Sequence, residues 1–155
     1  MIGSDAQIWL LSIAIGSLPF VVALAAHIGA RLDWHRKLVK VRRQDLSALG
    51  IWGKANPWRI ILHNDLSPAA ERSVSAHEWQ HVCDYWLCGL YGFAIWKLIR
   101  KRAATLWIES RAYAESVNHG RNLEDAARVL AGQHYDLGIT KTEARREIQR
   151  WRTSP

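Results

Sequence analysis

The apolar and polar positions divide this chain into an uncharged N-terminal run and a longer region of short periodic segments separated by turn formers. No residue from Ala6 to Ala30 carries a charge, and residues 8–26 are almost continuously apolar. Residues 31–49 read as a helix or helical linker continuing that run, with Leu32, Leu38, Val39, Val41 and Leu46 set among cations. Gly50, Gly53 and the Asn56-Pro57 pair are turn punctuation. Residues 58–63 are rich in β-branched side chains between turn formers, which predicts a strand, with residues 49–52 pairing to it as a short hairpin. Ser67, Pro68 and Glu71 supply an N-cap, a proline in the first turn and a partner to the cap, so a helix from 68 to about 87 follows. Gly89 and Gly92 end it. The apolar piece 90–99 is too short to span a bilayer. Further helices are expected over 103–117, 123–131 and 140–151. The pattern is α+β and mostly helical.

Charge changes this picture at the N-terminus. The formal net charge is +7, and six cations (Arg31, Arg36, Lys37, Lys40, Arg42 and Arg43) crowd the stretch after the apolar run. A run of this length, preceded by Asp5, bounded by Trp9 and Trp34 and followed by cations, has the make-up of a transmembrane anchor. The expected organisation is therefore an anchor helix in residues 1–30 and a domain over 31–155. The positive-inside rule gives a single-pass membrane protein with its C-terminal domain in the cytoplasm. Two rivals stand beside it. One is a signal peptide ending near Ala23-Leu24-Ala25, although no Lys or Arg leads it. The other is a core helix of a soluble cytoplasmic protein, since Ser12, Ser17 and His27 dilute the run.

Composition excludes several classes. With 49% hydrophobic and 23% charged residues, the chain is not a disordered one. Two cysteines, Cys83 and Cys88, build no disulfide framework, and on a helix they point about 140° apart. The basic run beside an apolar segment already has an electrostatic explanation at a lipid surface, so a nucleic-acid partner is not expected.

The chemistry lies in His77-Glu78-Trp79-Gln80-His81, an HExxH sequence. Four residues apart on a helix, both imidazoles project from one face and can reach one metal ion. Glu78 sits beside them, placed to take a proton from a water at the metal rather than to hold it. A strand, a short Ser-Pro turn and then this helix form a layout suited to a peptidase, because a strand edge holds an extended peptide by backbone hydrogen bonds.

Residues 60–68 followed by 74–82 resemble the core of small zincin metallopeptidases, especially minimal ones of the gluzincin kind. The resemblance covers roughly residues 58–116. It implies a minimal zincin core: a short hairpin or strand, an active-site helix and a third-ligand helix, here behind an N-terminal apolar helix. It also implies Zn²⁺ as cofactor and a peptide or protein substrate. In such proteins a Glu on the next helix, often within E-x-x-A, is the third ligand. Glu109-Ser-Arg-Ala112 fits that pattern, 28 residues after His81. Glu115, Asp84 and His119 remain rivals for the position, since Zn²⁺ accepts carboxylate and imidazole alike. Tyr113, four residues beyond Glu109, could donate to an oxyanion or simply pack, and His119, His134 and Tyr135 are further candidates for that task. His63 on the strand reads as a surface or substrate-edge residue. A third His six residues after His81, as metzincins carry, is absent, because that position is Leu87.

The expectation is a zinc-dependent peptidase with Glu78 as general base, associated with membranes through residues 6–30. The alternative is a non-catalytic membrane-associated protein whose metal is structural. Structural zinc shells are usually closed and rich in Cys, and neither cysteine here is in register to complete one.

Overall fold

A computed structural model describes residues 20–25, 28, 34–89 and 92–152. The element order is α1 (Trp34–Leu38), β1 (Lys40–Gln44), a 3₁₀ turn (Ser47–Leu49), β2 (Gly53–Asn56), β3 (Arg59–His63), α2 (Pro68–Leu87), α3 (Gly92–Ile99), α4 (Lys101–Asn118), α5 (Leu123–Leu130) and α6 (Lys141–Arg152). The architecture is α+β and mostly helical, as the pattern predicts.

The sheet differs from the expected hairpin in two ways. Its order is β1-β3-β2, with β1 parallel and β2 antiparallel to β3. The hairpin partner of β3 is thus 53–56 rather than 49–52, because Pro57-Trp58 closes a two-residue turn with Asn56 opposite Arg59. Residues 40–44, expected to be helical, form a strand. All five are exposed and only Val41 is apolar, so no period-two alternation marks the strand in the sequence. Arg43 reaches both carboxylate oxygens of Glu71 at 2.7 Å, tying β1 to the first turn of α2. The Glu71 side chain is therefore spent on that tie, while the Ser67 hydroxyl accepts from the Ala70 N–H.

One face of the sheet packs on α2. Ile60 and Leu62 from β3 join Val74, Val82 and Trp86 from α2 in one core, and the Trp86 indole donates to the Pro57 carbonyl at 2.8 Å. Full burial of each such aliphatic side chain contributes about 1.5–3 kcal/mol. A second core joins α4, α5 and α6 through Tyr113, Ala127, Leu130 and Ile148, with Leu137 of the α5–α6 connection. Between these cores α2 lies along α4, which brings the HExxH turn against Glu109.

The single-pass membrane placement is not upheld. Among the described residues no helix is long and apolar enough to cross a membrane. A crossing needs about 20 apolar residues in one helix. The described residues of the 6–30 run, 20–25 and 28, are helical, and Ala23 there lies against Gly89, where an added Cβ would come within 2.6 Å of the Ala23 Cβ. This piece packs on the protein beyond the end of α2. The rest of the expected anchor lies outside the described residues.

Candidate metal centre

α2 presents its two histidines one turn apart. Their Nε2 atoms approach to 3.1 Å, and the rings meet edge to face with centroids 4.7 Å apart. From α4, Glu109 Oε2 lies 3.5 Å from His77 Nε2 and 3.7 Å from His81 Nε2. Ligand atoms about 2.0–2.1 Å from one tetrahedral ion lie about 3.3 Å apart, so this triangle has the dimensions of a shared ion. His77, His81 and Glu109 form a group that could hold a metal ion.

The surroundings agree with a missing partner for these atoms. Within the described residues, Glu109 Oε2, Glu78 Oε2 and His77 Nδ1 are buried without a hydrogen bond. Buried polar atoms normally have partners, and the two carboxylate oxygens beside the ligand triangle are what an ion and its water would satisfy, whereas His77 Nδ1 lies across the ring from Nε2 and away from such an ion.

Burial and charge split the two carboxylates. Burial pushes Glu78 up to about 7, with His77 pulling against the rise and Glu109 adding to it. Burial also pushes Glu109 up, but the hydrogen bond to His77, the two imidazoles and a Tyr135 hydrogen bond outweigh it and hold Glu109 at about 2. One group therefore stays anionic while the other can exchange a proton near neutrality, a division of labour that suits a ligand beside a base.

The other candidates are placed differently. Tyr113 is buried, its ring packs on His77 with centroids 4.6 Å apart, and its hydroxyl meets that of Tyr135 at 3.1 Å. It supports the His77 ring. Asp84 does not compete as a ligand: it is fully buried and bonded to Arg111 at 2.6 Å and Gln80 at 2.9 Å. His119 and Glu115 are remote from the triangle; the His119 ring contacts the Glu115 carbonyl at the exposed end of α4. His63 is buried rather than at a substrate edge, held by Ser47 at 3.0 Å and by the Asp65 N–H at 3.1 Å. Both cysteines are half-buried, and they form no disulfide among the described residues.

Two residues matter more than their sequence signals suggest. Gly53, taken as punctuation, passes directly over the HExxH turn: an added Cβ would lie 2.8 Å from Glu78 Oε1 and 2.9 Å from Val74 Cγ1. Only glycine allows β2 so close. Tyr135 sits in the α5–α6 connection beside buried Leu137, borders the cavity with Glu109, and meets the Tyr113 hydroxyl at 3.1 Å. Burial and the Glu109 charge push its phenol strongly up, so it remains a donor.

A cavity of about 260 Å³ opens over the triangle, bordered by Gly53, Lys54 and Ala55 of β2, His77 and Glu78 of α2, and Tyr135. β2 is an outer strand of the sheet. Its hydrogen-bonded pairs with β3 fall at Lys54 and Asn56, and the ladder continues through the His63 N–H to the Trp52 carbonyl at 2.9 Å. By antiparallel alternation the N–H and C=O of Gly53 and Ala55 then point outward, along the cavity. No family model, curated protein or solved structure matches the chain.

Proposed function

We propose that this protein is a zinc-dependent peptidase. The observation that carries the reading is the convergence of His77, His81 and Glu109 beside the buried Glu78, under a sheet edge that no strand among the described residues covers. Two imidazole nitrogens and one carboxylate oxygen form a donor set typical of catalytic Zn²⁺, with a fourth position left open. Bound there, Zn²⁺ supplies Lewis-acid polarisation of a carbonyl and lowers the pKa of a water.

The chain's own residues do the rest. The outward N–H and C=O groups of Gly53 and Ala55 bind an extended peptide as an added strand, which lays one of its carbonyls over Glu78. Glu78 accepts the proton of the attacking water and returns it to the leaving amine, and its burial raises the carboxyl's proton affinity in the direction both transfers need. The Tyr135 hydroxyl and the Tyr113 ring hold Glu109 and His77 in position, as the outer partners of metal ligands do.

The test is paired: zinc per chain and turnover of unstructured peptides, for the parent and Glu78→Gln. The variant keeps all three ligands, so zinc content stays near one per chain while cleavage falls at least about 10²-fold. A variant that cleaves as fast as the parent overturns the peptidase reading. A parent that binds zinc but cleaves nothing makes the metal structural.

A further inference from the structure

The outer face of the sheet carries charge that the metal centre does not use. Alternation along β3 turns Ile60 and Leu62 inward to α2, so exposed Arg59 and half-buried Ile61 lie on the opposite face. The register then sets Lys40 beside Arg59 in one cross-strand row, and Arg42, Ile61 and Lys54 side by side in the next. Lys40, Arg42, Lys54 and Arg59 are all exposed, and no acidic side chain pairs with any of them among the described residues. Like charges in adjacent rows destabilise a sheet, so this arrangement is a standing cost unless an anion meets it.

Lys54 is the member of this set that borders the cavity, on the strand whose outer edge pairs with no other strand among the described residues. A peptide added to that edge becomes the fourth strand, and its side chains alternate like those of β2. Residues opposite Gly53 and Ala55 face the metal centre and Glu78. The residue opposite Lys54 faces outward and extends the row Arg42–Ile61–Lys54.

We propose that Lys54 makes this site selective for peptides with an acidic side chain next to the residue that pairs with Gly53. The inference rests on the peptidase reading and names its substrate class. The two acids of the site, Glu78 and Glu109, lie on the opposite face of the added strand and do not repel that side chain. An exposed pair of this kind contributes modestly, so the expected preference for Asp or Glu over Lys is about three- to tenfold in kcat/KM. It weakens as salt is raised from about 50 mM to 500 mM, because exposed charges are screened.

The experiment is cleavage of a position-scanned, unstructured peptide library by the zinc-loaded full chain, its Lys54→Glu variant and its Arg42→Glu variant. The parent is expected to enrich Asp and Glu at one position near the scissile bond. Lys54→Glu should reverse the preference at that position, read as the ratio of kcat/KM for acidic over basic peptides, and Arg42→Glu should reduce the preference without reversing it. Binding of acidic and basic versions of one cleaved peptide to Glu78→Gln, by fluorescence anisotropy, should show the same ranking. Cleavage by the parent with no charge preference, or with a preference that Lys54→Glu leaves unchanged, overturns the role of Lys54 and leaves the peptidase reading intact. Absence of cleavage by the parent overturns both.

Discussion

At the residue scale, Gly53 and Tyr135 set conditions that the HExxH residues cannot set for themselves. Gly53→Ala forces a methyl group to within 2.8 Å of Glu78 Oε1 and 2.9 Å of Val74 Cγ1. Either the carboxylate turns away or β2 lifts, and overpacking of this kind costs about 1–3 kcal/mol. The expected outcome is a lowered urea midpoint and a large loss of turnover with zinc content retained. Stability and activity equal to the parent's would show that β2 does not lie over Glu78. Tyr135→Phe removes one hydroxyl and keeps the ring. Zinc affinity measured by competition with a chelator should fall about 10- to 100-fold while the fold is unchanged, the usual scale for a lost outer partner of a metal ligand. Wild-type affinity would mean that Tyr135 does not orient Glu109.

At the element scale, the ligand triangle depends on the pairing of α2 with α4, and one buried contact fixes that pairing. Asp84 of α2 is fully buried and bonded to Arg111 of α4, whose guanidinium also lies over the Trp107 ring at 4.4 Å and the Trp151 ring at 5.4 Å. Burial pushes the Asp84 carboxyl up, and Arg111 and Gln80 pull it back toward the ionised form. Removing Arg111 alone strands a charge, whereas replacing both partners by groups of similar shape does not. Arg111→Ala should therefore cost about 3–5 kcal/mol in urea unfolding, and Asp84→Asn combined with Arg111→Met should recover most of it. Equal losses in the single and double variants would show that the pair does not lock the helices. The exposed Arg43–Glu71 pair is different in kind and contributes at most about 1 kcal/mol.

How far the sequence was legible also divides by element. α2 was readable end to end, because Ser67, Pro68 and the helical spacing of the histidines are local signals. Helices α4, α5 and α6 came out within a few residues for the same reason. β1 was not readable: its strand character arises from pairing with β3, which is a non-local fact, and its cations resemble a helix surface as much as a strand's solvent face. Of the site, His77, Glu78 and His81 were legible in one motif. Glu109 came from a resemblance and then met the histidines in space. Gly53 was hidden, since it acts by lacking a side chain, and Tyr135 was legible only as an oxyanion candidate and not as a neighbour of Glu109, because it comes from a loop 26 residues along the chain.

For the whole molecule, the uncharged N-terminal run misled by length and flanks. Those features measure hydrophobicity along the sequence, while in its described part Ala23 lies against Gly89 and no described helix is long and apolar enough to cross a membrane. What organises the protein is the seam between the β2–β3–α2 core and the α4–α5–α6 core, where the three ligand atoms meet. An ion bound at that seam joins both cores. Zinc should therefore raise the thermal midpoint and a chelator should lower it, as for any ligand that binds only the folded state. His81→Ala should abolish that shift. A midpoint insensitive to zinc would place the ion away from the seam.

The central claim is that His77, His81 and Glu109 bind one ion together. Anomalous diffraction at the zinc edge, from crystals grown with one equivalent of Zn²⁺, tests it most directly. The account predicts a single strong peak about 2.0–2.2 Å from His77 Nε2, His81 Nε2 and a Glu109 oxygen, with Glu78 outside bonding distance. A peak bound by His77 and His81 but not by Glu109, or no peak between the helices, would contradict it.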